Sequence, residues 1–191
     1  MKITDCQTLL SATLSTTRIS APERTHLNTI AALVLEMARA YESDGATFFV
    51  SGDPVNSLAG FYYGFGWLHF GLSSGLLTTT TSPRCPFLKS HEILQLPFRT
   101  KLEEKAGRYA HLLETALSSV KCAPDPAAAG HDFAERIHAV AQVYARRGGY
   151  HLKSGSFEDA LASFSYGHGW LDAGVTAGFF RILAERDLFT I

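Results

Sequence analysis

The spacing of apolar residues predicts helices along most of the chain. Leu9, Leu10 and Leu14 share one face of residues 5–18, and we expect that helix to end before Pro22, because proline pushes the preceding residue out of the helical region. Residues 24–51 then repeat apolar side chains at steps of three, four and seven. We interpret these stretches as two consecutive amphipathic helices, A and B.

A short polar junction follows helix B. Gly52 stands where a helix C-cap is expected, Asp53 where an N-cap is expected, and Pro54 at the first position of a new helix. Helix B must therefore fold back onto a third helix, C, as an antiparallel hairpin. We expect helix C to run from Pro54 to about Leu77, because the threonines that follow are poor helix formers.

The second half of the chain repeats the first. Residues 58–75 (LAGFYYGFGWLHFGLSSG) align without a gap with residues 161–178 (LASFSYGHGWLDAGVTAG), which indicates a tandem duplication. Helices A, B and C recur over about 100–121, 131–154 and 157–186, so the last helix is expected to be longer than its counterpart.

This pattern predicts an all-α protein of two tandem three-helix modules, in a pseudo-twofold or stacked arrangement. The first module spans residues 1–83 and the second residues 100–191, with an ordered linker over 84–99 that is packed by its own apolar side chains. The second hairpin junction, at Gly155, is similar to the turn of tetratricopeptide helix pairs, which supports the hairpin and an interaction role by analogy.

Helix C divides into stripes when its positions are placed on a helical wheel. The first stripe is identical in both copies and rich in glycine. Since each glycine costs a helix about 1 kcal/mol relative to alanine, we expect another helix to pack closely against it. Its members are Phe61, Gly64, Leu68, Gly71 and Gly75, with Phe164, Gly167, Leu171, Gly174 and Gly178 in the second copy.

A second shared stripe carries aromatic residues with polar tips. We interpret it as core or inter-module packing, with a ligand-stacking platform as the alternative. The stripe consists of Ala59, Tyr63, Gly66 and Trp67, repeated as Ala162, Tyr166, Gly169 and Trp170. Its tyrosines and tryptophans are candidate binding residues under that alternative.

The third stripe differs between the copies, being largely apolar in the first and half polar in the second. We expect the first-copy stripe to be covered by the second copy, the linker or another subunit. His168 and Asp172 lie four residues apart on it, a spacing at which a carboxylate can orient an imidazole, and His69 lies on the first-copy stripe. These three are candidate binding residues, although a solvated or interfacial polar pair is favoured over a general base or a metal site.

Another candidate pair, Arg146 and His151, has the Arg-x4-His spacing of the helical HEPN nucleases. The first copy has Ser43 and Phe48 at these positions, so the pair is not part of the shared module. No phosphate-binding loop, nucleophile triad or His-Glu-x-x-His motif is present. We therefore assign no catalytic residue, no metal ligand and no cofactor.

Composition narrows the class of protein. The chain is 46% hydrophobic and 18% charged with a net charge of −1, which fits a globular protein and disfavours nucleic-acid binding through a global basic field. Residues 54–83 contain no Asp, Glu, Lys or Arg, but the matching helix carries Glu158 and Arg181, so we expect a buried helix rather than a membrane span. Three scattered cysteines and the lack of an export-signal pattern indicate a cytoplasmic protein.

Several segments resemble the archaeal domain of unknown function 357 family. The resemblance rests on residues 108–117 (RYAHLLETAL), on the junction at Gly155 and on residues 164–174 (FSYGHGWLDAG). The first copy departs from the family pattern, because His69-Phe70 stands where the family has Asp-Ala. The resemblance implies a small helical, cytoplasmic, archaeal protein, usually with one copy of the module, and supplies no activity.

Two hypotheses for function follow. The sequence favours a non-enzymatic scaffold that binds an unknown partner protein through a helical groove, with a homo-oligomer as a further candidate assembly. A fused duplicate often replaces a homodimer, so we expect single-copy relatives to dimerise through the surface by which the two copies meet. The alternative is a small-ligand-binding protein that uses His168 and Asp172, or a HEPN-like RNA-processing enzyme that uses Arg146 and His151.

Overall fold

The computed structural model describes residues 2–81 and 93–190. Over these residues the protein is all-α in two halves, with three helices in each half, as the sequence predicts. The helices are α1 (Ile3–Thr16), α2 (His26–Val50), α3 (Pro54–Ser73), α4 (Arg99–Ser118), α5 (Ala129–Lys153) and α6 (Phe157–Thr176).

Each half contains the predicted helical hairpin. In the first half, Gly52 adopts a φ of 78°, and Asp53 caps α3 by accepting a hydrogen bond from the backbone N–H of Asn56 at 3.2 Å. In the second half, Gly155 adopts a φ of 74° at the corresponding turn between α5 and α6. Such left-handed backbone favours glycine, which is why both junctions carry it.

The predicted ends of the two C helices are wrong. Both α3 and α6 are 20 residues long and end before Gly75 and Gly178, whose φ angles of 75° and 81° take the chain out of the helix. These two glycines therefore act as C-caps and not, as the wheel suggests, as packing positions.

The chain pairs after each cap into a two-stranded antiparallel sheet that the sequence analysis did not predict. Strands this short carry no alternating pattern to detect. The strands are β1 (Arg18–Ile19) with β2 (Leu77–Thr78), and β3 (Val120–Cys122) with β4 (Phe180–Ile182).

The expectation of an apolar-packed linker is only partly met. Residues 84–92 lie outside the described residues. In the remainder, Leu94 is buried and donates its backbone N–H to Glu158 Oε1 at 2.9 Å, but Ile93 and Leu96 are more than four-fifths exposed. A 3₁₀ turn, Leu96–Phe98, then leads into α4.

The first glycine stripe packs inside each half, as predicted. A methyl group added at Gly64 would lie 3.2 Å from the side chains of Leu10 in α1 and Tyr41 in α2, and one at Gly71 would lie 2.5 Å from Leu77. The helix faces opposite this stripe pack on the other half. Both helices are thus covered on nearly every side; α3 contains no Asp, Glu, Lys or Arg, whereas α6 carries Glu158, Asp159 and Asp172.

The two halves meet where α3 crosses α6 at Gly66 and Gly169. A methyl group on Gly66 would lie 2.9 Å from the Gly169 Cα atom, and one on Gly169 would lie 3.2 Å from the Gly66 Cα atom. Equivalent residues of the two copies therefore contact each other reciprocally, as a pseudo-twofold arrangement requires. In the parts of the chain that the structure describes, no helix is both long and apolar enough to span a membrane.

Candidate functional site

Two reciprocal hydrogen bonds flank the crossing of α3 and α6. Tyr63 donates its hydroxyl to Asp172 Oδ2 at 2.7 Å, and the Tyr166 hydroxyl lies 3.0 Å from His69 Nδ1. Tyr63 is equivalent to Tyr166, and His69 to Asp172. Each half therefore contributes a tyrosine that bonds to the same position of the other half, where the partner is a carboxylate in one case and an imidazole in the other. The divergent polar residues of the third stripe are thus buried between the halves.

Asp172 and His168 hold the C-terminal segment of the chain. Asp172 is fully buried, and its second oxygen accepts the backbone N–H of Thr190 at 2.9 Å. His168 donates its Nε2–H to the carbonyl oxygen of Leu188 at 3.1 Å. Burial lowers the pKa of His168, an effect that the nearby Asp172 partly offsets. The predicted imidazole–carboxylate pair therefore anchors the tail of the protein.

His69 belongs to a separate hydrogen-bonded group. It lies six positions after Tyr63 on α3, which separates their backbones by about 9 Å. Burial lowers the pKa of His69 to about 4, so the imidazole is uncharged at neutral pH. The structure thus places the three predicted polar residues in two groups, one around Asp172 and one around Tyr166.

The two tryptophans are buried, with Trp67 0% and Trp170 5% exposed. Their Nε1 atoms are enclosed and have no hydrogen-bond partner among the described residues. Trp170 makes an edge contact with Phe70, at 6.0 Å between ring centroids, across the boundary between the halves. These contacts are those of a core, which was the favoured interpretation of the second stripe.

A cleft of about 340 Å³ opens where the two halves join. Four helices form its wall, and its lining mixes aromatic rings with polar groups. The lining includes Tyr41, Asp44 and Phe48 from α2, Asn56 and Tyr63 from α3, Lys105, Tyr109 and Leu112 from α4, and His168 from α6. Tyr63 and His168 are the predicted binding residues that it contains.

Lys105 is a buried, charged residue of this cleft that the sequence does not single out. It is only 8% exposed, donates an Nζ–H to Asn56 Oδ1, and lies with Nζ 5.0 Å from the ring centroid of Tyr109. Burial lowers its pKa, and the positive charge of Arg108 lowers it further. Nothing in the spacing of helix A distinguishes this lysine from one that faces solvent.

The tyrosines give the cleft a neutral, aromatic wall. The rings of Tyr41 and Tyr63 lie 4.4 Å apart between centroids with an interplanar angle of 42°. Burial raises the pKa of Tyr41, Tyr63 and Tyr109, so their hydroxyls stay protonated at neutral pH. The wall therefore offers hydrogen bonds and ring faces without negative charge.

Arg146 and His151 lie apart from this cleft. Arg146 lines a second, shallower cleft of about 580 Å³ between α4 and α5, together with Tyr150 and Lys153. His151 contacts the Tyr150 ring edge at 5.6 Å between centroids. Five residues turn a helix by about 140° beyond a full turn, so Arg146 and His151 point to different sides of α5.

The described part of the chain contains no group of three or more His, Cys, Asp or Glu side chains placed to hold a metal ion. Of the thiols in that part, Cys6 is buried and Cys122 half-buried, and neither forms a disulfide.

Comparison with known proteins agrees with the division into two halves. A family model described as a protein of unknown function (DUF357) matches the chain twice, over residues 7–77 and 108–180. The resemblance found in the sequence is thereby confirmed for both copies. No curated protein and no solved structure matches the chain.

Proposed function

The chain belongs to the DUF357 family, and from its own geometry we propose that it is a non-catalytic small-ligand-binding protein whose site is the cleft between its halves. The observation that carries this proposal is the convergence of three tyrosines, Asn56 and the buried Lys105 on one cleft. Ligand sites are typically clefts of about 300–1,000 Å³ with mostly apolar walls and a few placed polar groups, often at domain interfaces.

The roles of the buried polar residues support binding rather than catalysis. Asp172 accepts hydrogen bonds from the Tyr63 hydroxyl and the Thr190 backbone N–H, and His168 donates its Nε2–H to the Leu188 carbonyl oxygen. A general base must reach the proton that it removes within about 3 Å. These hydrogen bonds hold the imidazole and the carboxylate in structural contacts, and the cleft presents hydrogen-bond donors and aromatic rings to a ligand.

The proposal is tested by filling the cleft. Leu112 and its equivalent in the first half, Leu9, are both half-buried. Leu112 lines the cleft, whereas Leu9 lies outside it. Leu112→Trp is expected to abolish the binding of small aromatic fragments that saturation-transfer NMR detects on the native protein. Leu9→Trp is expected to leave that binding intact, and thermal unfolding verifies that both variants fold. Absence of any fragment binding to the native protein, or equal binding by Leu112→Trp, contradicts the proposal.

A protein-interaction role is a second candidate, favoured by one observation. Phe48, Phe49 and Val50 end α2 as three consecutive apolar residues with exposures of 38%, 39% and 87%. A partner protein with an apolar contact surface would cover them. Val50→Glu is expected to release a partner recovered by affinity capture, whereas Leu112→Trp retains it. A partner retained by Val50→Glu contradicts this role for the segment.

A further inference from the structure

The cleft contains a buried positive charge without an acidic partner. Lys105 is 8% exposed, and its Nζ contacts a neutral amide oxygen of Asn56. Among the described residues, no carboxylate oxygen lies within 4.0 Å of this ammonium group. Buried lysines are rare unless they are paired, because removing the charge from water is costly.

The carboxylates around Lys105 are already engaged. Asp53 forms an ion pair with Lys101 at 2.7 Å, and Glu104 forms one with Arg108 at 3.6 Å. Asp44, on α2, also lines the cleft, but it is exposed to solvent. Of the two charged residues that the described lining of the cleft contains, Lys105 is buried and Asp44 is exposed.

Lys105 contacts the first turn of α3 through Asn56. The partial positive charge of this helix N-terminus is compensated by the capping carboxylate of Asp53, which accepts the Asn56 backbone N–H at 3.2 Å. The ammonium group has three N–H donors, and Asn56 accepts one of them. An acceptor bound in the cleft would meet the remaining N–H donors of the lysine.

We propose that the ligand of the cleft is an organic anion with an aromatic or apolar body, whose anionic group pairs with Lys105. This inference rests on the proposed function. The body of the ligand would pack on Tyr41, Tyr109 and Leu112, which provide ring faces and an aliphatic side chain. The hydroxyls of Tyr41 and Tyr109 are uncharged and do not repel the anion.

Two fluorescent probes that differ in one charged group test the inference. 1-Anilinonaphthalene-8-sulfonate carries a sulfonate, and N-phenyl-1-naphthylamine has the same aromatic body without it. The native protein is expected to bind the sulfonate more tightly, by at least tenfold, since a charge-assisted hydrogen bond adds about 1.5–3 kcal/mol. Lys105→Met is expected to remove that preference and to leave binding of the neutral probe unchanged, and Lys105→Arg to restore it.

Lys101→Met is the matched control, because Lys101 is half-exposed and pairs with Asp53 outside the lining of the cleft. It is expected to keep the preference for the sulfonate, and circular dichroism verifies that all variants fold. If the native protein and Lys105→Met bind both probes equally, the inference is wrong. The proposed function then still stands, provided that Leu112→Trp loses both probes. Failure of the sulfonate probe to bind the native protein overturns the inference.

Discussion

Gly66 and Gly169 touch at the point where α3 and α6 cross, which brings the backbones of the two halves into direct contact. A methyl group on Gly66 would lie 2.6 Å from the Tyr166 carbonyl oxygen, and one on Gly169 would lie 2.5 Å from that of Tyr63. These neighbours are backbone atoms, which cannot rotate away as a side chain can. The contact therefore sets how closely the halves approach and how the cleft is shaped.

Gly66→Ala is expected to destabilise the protein by about 3 kcal/mol, because overpacking forces the two helices apart. Gly107, in α4, has no atom within 4 Å of an added methyl group. Gly107→Ala is expected to stabilise the protein by up to about 1 kcal/mol, since alanine is the better helix former. Chemical denaturation measures both changes. An unaltered midpoint for Gly66→Ala would show that α3 and α6 are not in backbone contact at this crossing.

The two reciprocal tyrosine contacts are expected to differ in strength. Tyr63 donates to a buried carboxylate, whereas Tyr166 contacts an uncharged imidazole. Tyr63→Phe is therefore expected to lower the free energy of unfolding by about 2–3 kcal/mol and Tyr166→Phe by about 1 kcal/mol. Denaturant titrations of the two variants provide the comparison, and a larger loss for Tyr166→Phe contradicts the assignment.

Acidification is expected to destabilise the protein through His69. Its pKa is about 4 when folded and about 6.5 when unfolded, so the unfolded chain binds the proton more readily. The contribution of the neutral His69 to the free energy of unfolding is fully present above pH 6.5. It falls by roughly 3 kcal/mol as the pH drops to 4. His69→Gln is expected to flatten this slope, with the lowered pKa of His168 leaving a remainder. An unchanged slope in unfolding measurements from pH 4 to 7 would rule out this role.

The C-terminal segment is expected to act as part of the core. Phe189 is 6% exposed and packs edge-on against His168 at 6.5 Å between ring centroids, whereas Leu183 is 64% exposed. Phe189→Ala is expected to cost about 3 kcal/mol or more, and Leu183→Ala less than about 0.5 kcal/mol. Equal thermal midpoints for the two variants would mean that the segment does not dock.

Periodicity predicts the elements of this fold but not their partners. The repeated spacing around Gly66 and Gly169 assigns both residues to an inter-module stripe, because a duplicated helix keeps residues that pack. It does not show that each glycine meets the other. Gly75 fits the same wheel, yet its left-handed φ ends the helix, since a wheel assumes that the helix continues.

The candidate site depends on tertiary contacts that a single helix cannot reveal. The pattern of its amphipathic helix predicts that Lys105 faces solvent. In the structure it is buried, because the N-terminus of α3 packs over it. The four-residue spacing predicts Asp172 as a partner of His168. In the structure, the chain returns after β4 and the backbone N–H of Thr190 binds the Asp172 carboxylate. The duplication located the divergent stripe, and the packing of the two halves determined what its residues do.

The most direct test of the proposed ligand site is a ¹H–¹⁵N correlation spectrum of the native protein titrated with 1-anilinonaphthalene-8-sulfonate. We expect the perturbed amide signals to cluster around the cleft, at Tyr41, Asn56 and Tyr109. Perturbations centred instead on Gly149 and Tyr150, in the cleft between α4 and α5, would contradict this expectation, as would a spectrum that does not change.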